Sequence, residues 1–516
     1  MIWLLYALIL LLLHGMILSL FVILETRRPA STLAWILALL FIPFFGAFFY
    51  FLFGRRRFVK RRRHRATTLT HFDRRSRMER MQSDREVTEL SPFALEQLES
   101  RSQGIKPDTT PMELPPLPTA PPPVPEESTE VPHLHEFLIN IARNNLHSSL
   151  AIHNHVDVLV DGDNTFNAMG EAIRNAKHHV HVLYYIFRKD ATGTWLRDLL
   201  IERAKAGVEV RLVVDGIGSM ELDDEFLQPL KEAGVEFAVF LPFRFQFRLR
   251  RSQVNFRNHR KIVIVDGWIG FTGGVNVGEE YRGRSSHGYW RDTHVRLEGP
   301  AVHELQHVFA EDWFYTTQRK IAGRDYFPLL EENGEETVQI IPSGPDLPSL
   351  SIHHLFFVAI TSARRYVWIT TPYFVPDDSI LLALQTAALR GVDVRLLVPF
   401  ESDEGLVLHA GRSYYNELLE AGVRIFEYKK GILHAKTMVI DGTCGTIGSA
   451  NMDIRSFHLN FELNAFLYSE KVAHSLETTF LEDLKHSQAV SLSSRLKRPV
   501  RQRLRESAAR LLSPIL

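Results

Sequence analysis

Two halves of this chain repeat one another, and each repeat runs into the same short polar signature. Ala172, Ile173, Ala176, Val180, Val182 and Phe187 recur at the same offsets as Ala359, Ile360, Ala363, Val367, Ile369 and Phe374. The run from Ala206 to Asp215 matches Arg390 to Pro399, and Glu232 to Phe240 matches Glu420 to Tyr428. In each half a helix-like stretch precedes a β-branched, alternating run such as Val208 to Val214, the pattern of a buried strand. Helix and strand alternate throughout, which predicts an α/β fold of two tandem domains related by a pseudo-twofold axis, over 133–325 and 326–492.

The first signature is His259, Lys261 and Asp266, then Gly273, Gly274 and Asn276; the second is His434, Lys436 and Asp441, then Gly448, Ser449 and Asn451. In both, lysine follows histidine by two positions, aspartate by seven and asparagine by seventeen. Residues two apart on a strand share a face, so each histidine and its lysine point the same way. One His-x-Lys pair carries no information, but two copies with matching apolar spacers and Gly-rich turns do. An ammonium beside an imidazole is a poor metal site, because it repels the cation and cannot ligate while protonated. Lysine and asparagine donors suit phosphoryl oxygens instead. Brought face to face, the two sets surround one phosphate, where one histidine attacks phosphorus and the other protonates the leaving oxygen. The expected chemistry is phosphodiester exchange through a phosphohistidine, with no metal and no cofactor.

Charge is segregated along the chain. Lys+Arg and Asp+Glu both total 60, which excludes a uniformly basic nucleic-acid binder. Residues 54–78 nevertheless hold eleven bases against Asp73, and 493–516 hold seven against Glu506, leaving 40 bases and 57 acids for 79–492. The single cysteine, Cys444, excludes a disulfide scaffold and a Cys-rich metal site. Met1 to Leu24 and Pro29 to Gly54 carry no charged side chain, and Arg27 and Arg28 lie between them. Each run is long enough to span a bilayer core, so 1–54 reads as a transmembrane helical hairpin rather than a cleaved leader. The basic cluster from Arg55 to Arg65 then places both ends of the hairpin, and everything beyond it, on the cytoplasmic side of the cell (inner) membrane. Residues 55–132 read as a basic juxtamembrane segment and a linker whose nine prolines between 111 and 132 forbid regular structure.

Gly234 and Gly422 are 188 apart but His259 and His434 only 175, so the first half carries thirteen extra residues before its signature. There Phe243, Phe245, Phe247 and Phe256 interleave with Arg244, Arg248, Arg250, Arg251 and Arg257. Alternating rings and guanidinium groups can stack bases, but downstream of two apolar spans they suit an anionic bilayer interface. Residues 493–516 read as a basic tail whose helix starts near Pro499, with Val500, Leu504, Ala508, Leu511, Leu512 and Ile515 at three- and four-residue spacing. That apolar face suits either a membrane surface or the globular body.

The paired H-x-K-x4-D motif followed by G-[GS]-x-N resembles the phospholipase D superfamily, and within it the chain closely resembles bacterial cardiolipin synthases. The likeness extends to the two-span N-terminus with Arg28 to Trp35, to Tyr289 to His294 and to Ser456 to Glu462. It implies two phospholipase D-like domains and transfer of a phosphatidyl group between two phosphatidylglycerols, giving cardiolipin and glycerol. Phosphatidylglycerol and anionic membrane lipid are the implied partners, with no nucleic acid; a water-using phospholipase D or other phosphodiesterase carries the same motif, and a silent membrane scaffold would have lost a His or Lys. The resemblance assigns His259 and His434 as nucleophile and general acid, with His259 attacking. It assigns Lys261, Lys436, Asn276, Ser449 and Asn451 to the phosphate, and Asp266 and Asp441 to the motif as braces of the fold. It also implies an acid downstream of each histidine that orients its ring: Asp292, 33 residues beyond His259, and Glu462, 28 beyond His434. Gly274 against Ser449 is the one mismatch, so the first half lacks a hydroxyl.

Overall fold

The computed structural model describes residues 29–41, 46, 133–146, 148–242, 255–284, 288–329, 333–347 and 350–513. The expected first span, most of the second, the basic segment and proline-rich linker up to 132, and the insertion from 243 to 254 lie outside them. The described part of the second span is the helix Pro29–Phe41. Its 13 residues reach roughly 20 Å at 1.5 Å each. No helix among the described residues is long and apolar enough to cross a membrane.

Nineteen strands are described. The first half contributes β1 (Ala151–Val160), β2 (His179–Tyr184), β3 (Glu209–Asp215), β4 (Glu236–Phe240), β5 (Ile262–Val265), β6 (Ile269–Gly273), β7 (Tyr289–Arg291) and β8 (Thr293–Glu298). The second contributes β9 (Glu336–Ser343), β10 (Tyr366–Thr370), β11 (Phe374–Val375), β12 (Asp393–Pro399), β13 (Arg424–Tyr428), β14 (Gly431–Leu433), β15 (Thr437–Ile440), β16 (Cys444–Gly448), β17 (Met452–Asp453), β18 (Glu462–Tyr468) and β19 (Ser487–Ala489). Fifteen of them form one sheet in the order β19-β13-β12-β10-β15-β16-β18-β9-β1-β8-β6-β5-β2-β3-β4. From the β9–β1 seam outward the two halves read as copies, with β9 against β1, β18 against β8, and so on to β13 against β4. This is the expected α/β repeat, with the halves fused through one sheet; β19 extends one edge only.

The seam is antiparallel and irregular, pairing Ala151 with Val338 and Asn154 with Glu336 across a bulge. Beneath it one apolar cluster draws Ile264, Val295 and Leu297 from the first half and Val338, Ile340, Leu463 and Ala465 from the second. Burial of side chains from both halves in one core opposes their separation. In each half three strands run parallel, β2-β3-β4 and β10-β12-β13, joined by crossover helices. Asp190, Asp223 and Asp377 cap three of these helices by accepting the N–H of Gly193, Phe226 and Ile380.

The turns between β5 and β6 and between β15 and β16 explain the signature's spacing. Asp266 and Asp441 have φ of 55° and 53°, and Gly267 and Gly442 follow at 72° and 74°, two successive left-handed residues inside a three-residue hairpin loop that pairs Val265 with Ile269 and Ile440 with Cys444. Histidine and asparagine therefore stand at the open end of each hairpin and aspartate at its closed end, roughly 20 Å away at about 3.3 Å per residue.

Candidate active site

Each signature histidine precedes the first strand of its hairpin, and its backbone is held by the opposite half. His259 donates its N–H to Phe461 O at 2.8 Å, and His434 donates to Arg291 O at 2.8 Å. The two acceptors immediately precede Glu462 and Asp292. Each acid therefore lies beside the histidine of the other half: Asp292 Oδ2 is 2.6 Å from His434 Nδ1, and Glu462 Oε1 is 3.2 Å from His259 Nδ1. The sequence expectation paired each acid with the histidine upstream of it, and the structure exchanges them. Spacing along the chain does not show which side of the pseudo-twofold a loop crosses to.

The exchange also relocates the mismatch between Gly274 and Ser449. Ser449, expected on the phosphate, donates to Glu462 Oε2 at 2.6 Å and accepts the Leu463 N–H at 2.9 Å, so its hydroxyl serves the acid that faces His259. Asn460 donates to the other carboxylate oxygen at 3.1 Å. At the corresponding place a Cβ on Gly274 would lie 2.0 Å from Asp292 Oδ1, so glycine is what lets the shorter acid sit there. Asp292 Oδ1 in turn accepts the Thr293 N–H at 2.7 Å.

The lysines are buried beside their histidines. Lys261 donates to His259 O at 2.6 Å, while Lys436 donates to His434 O and lies 3.0 Å from His434 Nδ1. Burial pulls Lys261 from 10.5 down to about 7 against the pull of Glu462, with Lys436 pushing further down. Lys436 is lowered by burial to about 8 despite Asp292 and Glu462. That each lysine responds to groups of both halves marks one shared site. Burial also lowers both imidazoles: His259 falls below 6.5 although Glu462 opposes it, and His434 falls to about 4 through burial and Lys436, opposed by Asp292. Burial alone would raise the two acids, but Lys436 and His434 hold Asp292 down, and His259 and Lys261 hold Glu462 down. The carboxylates face Nδ1, which leaves Nε2 of each ring for chemistry.

Asn276 and Asn451 are both buried. Asn276 accepts the Ile186 N–H at 3.3 Å and donates to Tyr281 Oη at 2.6 Å, whereas Asn451 Oδ1 has no hydrogen-bond partner among the described residues. Asp266 accepts the N–H groups of Lys177, His178 and His179 at 2.7–2.8 Å, and Asp441 those of Arg364, Arg365 and Tyr366 at 2.8–2.9 Å. These aspartates tie the hairpin turn to the start of β2 or β10.

Several neighbours were not singled out from the sequence. Tyr185 packs on His259 with ring centroids 4.0 Å apart, Tyr281 and Trp290 each approach His434 at 5.4 Å, and Tyr373 donates to Asp403 at 2.9 Å. Tyr185 and Tyr373 lie just past the carboxyl ends of β2 and β10, where open α/β sheets gather their sites, and that position was the available signal. In the aromatic–basic insertion, Phe256 and Arg257 are buried rather than presented to an interface, and Arg257 is 3.3 Å from Asp215. No group of three His, Cys, Asp or Glu side chains among the described residues is arranged to hold a metal ion.

A family model described as "Cardiolipin synthase, PLD-like domain" matches residues 169–313 and 356–484, and one described as "Phospholipase_D-nuclease N-terminal" matches 15–55. The chain is 42% identical over 506 residues to a cardiolipin synthase of Geobacillus kaustophilus (strain HTA426), covering 96% of this chain and 91% of that one. It is 40% identical over 499 residues to cardiolipin synthase 2 of Bacillus anthracis, covering 96% and 88%. Among solved structures, the phosphatidylserine synthase of Haemophilus influenzae Rd KW20 matches 74% of this chain and 100% of its own at a TM-score of 0.58 and 14% identity, a likeness of fold.

Proposed function

The chain belongs to the bacterial cardiolipin synthase family of the phospholipase D superfamily, and from that premise we propose that it joins two phosphatidylglycerols into cardiolipin with release of glycerol. The observation that carries the mechanism is the exchange of acids: each imidazole has its Nδ1 facing a carboxylate of the other half, so neither half-site is complete alone. His259 Nε2 attacks phosphorus of the first lipid, and the bond to the headgroup glycerol breaks. His434 Nε2 gives that oxygen its proton. A headgroup hydroxyl of the second lipid then attacks phosphorus as His434 takes its proton, and the P–N bond breaks. The first step conserves the phosphodiester energy in the covalent histidine, so no nucleotide is consumed.

Lys261 and Lys436 neutralise the phosphoryl oxygens, with the amides of Asn276 and Asn451 beside them. An anionic phosphate brought beside the buried ammonium groups and His434 favours their protonated forms, which supplies His434 with the proton it must donate, while burial favours the neutral ring that His259 needs to attack. In this reading residues 1–54 anchor the enzyme, 55–132 tether it, and 133–325 with 326–492 work on the cytoplasmic side of the inner membrane. The N-terminal match over 15–55 supports association with a membrane.

The test is incubation of the purified protein with phosphatidylglycerol vesicles in EDTA, followed by lipid analysis. Cardiolipin and glycerol in equal amounts are expected. Phosphatidic acid as sole product would replace the transferase reading with a hydrolase.

A further inference from the structure

The helix Val500–Leu511 lies on the protein with its apolar stripe turned away from it. Gln502, Glu506, Ala509 and Ser513, at spacings of four, three and four, form the face that meets the body; all but Gln502 are buried. Glu506 Oε2 is 2.7 Å from Arg495 and 3.2 Å from Arg498, Tyr414 donates to Ser513 Oγ at 3.1 Å, and Arg510 is 2.9 Å from Glu417. These polar contacts, with Ala509 in the apolar core, fix the helix on the body, where it lies beside the helix Gly405–Arg412. On the opposite face Val500, Leu504, Ala508 and Leu511, at spacings of four, four and three, make one stripe. Val500, Leu504 and Leu511 are 67%, 65% and 82% exposed, and Leu496 just upstream is 62% exposed. Ordinary surface helices do the reverse, burying leucines and showing charge.

The charge around the stripe selects its occupant. Lys497, Arg501, Arg503 and Arg505 are exposed, and no ion pair among the described residues uses them. Glu506, the only acid from 493 to 516, is buried and paired. Apolar side chains bordered by unpaired cations suit an anionic lipid surface, with leucines at the acyl boundary and guanidinium groups on phosphates. We propose that this helix is a fixed docking face for an anionic bilayer, held rigidly on the catalytic body and independent of which lipid is turned over. Here body packing and membrane contact use opposite faces of one helix.

Ser507 is exposed beside the stripe, and Cys444, the only native thiol, is buried. Full-length Ser507→Cys protein carrying a fluorophore at that position is reconstituted into vesicles with acyl-brominated lipid. Vesicles containing phosphatidylglycerol should quench the label at least twofold more than phosphatidylcholine vesicles. Leu504→Gln with Leu511→Gln should abolish that difference and leave turnover of short-chain monomeric phosphatidylglycerol unchanged. Equal quenching in both vesicles, no quenching in either, or disulfide cross-linking of two copies of the unlabelled Ser507→Cys protein would each overturn the proposal.

Discussion

The half-sites of His259 and His434 share residue types and spacing but hold their histidines differently. His434 is 2.6 Å from Asp292 and walled by Tyr281 and Trp290, and its side chain is 10% exposed. His259 is 3.2 Å from Glu462, without hydrogen-bond alignment at Nδ1, leans among the described residues on Tyr185 and is 15% exposed. The longer acid is steadied by Ser449 and Asn460, and the shorter one is seated against Gly274. Duplication thus produced two ways of presenting one ring. The tightly clamped ring suits repeated proton transfer at a fixed distance, and the less constrained ring suits forming and breaking a bond to phosphorus.

Removing each histidine tests that difference most severely. His259→Ala and His434→Asn should each lower turnover by about 10⁴-fold or more, since groups that act as a unit are not additive. The losses should differ in kind: intact-mass measurement after incubation with phosphatidylglycerol should find an acid-labile phosphatidyl adduct on His434→Asn and none on His259→Ala. The reverse pattern would exchange the two roles, and normal cardiolipin synthesis by either variant would refute the mechanism.

Neutralising the acids tests the exchange between halves. Asp292→Asn and Glu462→Gln should each cost up to about 10⁴-fold, the scale seen when an orienting carboxylate is lost. Each acid opposes the lowering of one histidine's pKa, so its removal should depress that histidine further. Histidine titration by NMR should therefore show Glu462→Gln lowering His259 and Asp292→Asn lowering His434. Shifts of the histidine within the same half would contradict the geometry.

The smaller contrasts come from the mismatch. Gly274→Ser places a Cβ against Asp292 and should cost about 100-fold through His434, a loss comparable to a misplaced catalytic group. Ser449→Gly removes one hydrogen bond to a carboxylate and should cost about tenfold through His259, the lower end for bonds to charged groups. Equal losses would erase the distinction between the two seats.

On stability rather than turnover, the lysines give a small effect. Both are lowered on folding, from 10.5 to about 7 and about 8. For groups lowered in this way, the unfolded chain binds more protons between the two values, so stability rises with pH from about 7 to 10.5. Lys261→Met with Lys436→Met should flatten that rise in a thermal-melting series and raise Tm at pH 7 by about 2–4 °C, while abolishing activity. An unchanged slope would show that neither ammonium is strained by burial.

Much of this was legible in the chain. The offsets from Ala172 and Ala359 revealed the duplication, and the spacing of His, Lys, Asp and Asn singled out the residues that the two halves bring together. The Asp-Gly pairs at 266 and 441, which form the tight turns, were not singled out in the sequence. Sequence periodicity also located the tail helix, but it did not reveal that Glu506 would face inward and Leu504 outward, because that depends on Arg495 and Arg498 being folded beneath it. The same limit applied to Arg257, whose place among alternating Phe and Arg residues suggested an interface until Asp215 gave it a buried partner.

Local patterning determined which residues this protein uses: strand alternation, turn chemistry and the repeat are properties of neighbouring positions, and those persist along the chain. Only the tertiary structure decided which residues serve each other. Asp292 belongs to His434 and Glu462 to His259 because the β9–β1 seam sets two homologous loops back to back, and each crosses the pseudo-twofold before its acid turns inward. Contacts of that kind depend on the rotation relating two halves of a sheet, a relation that no spacing along one chain encodes.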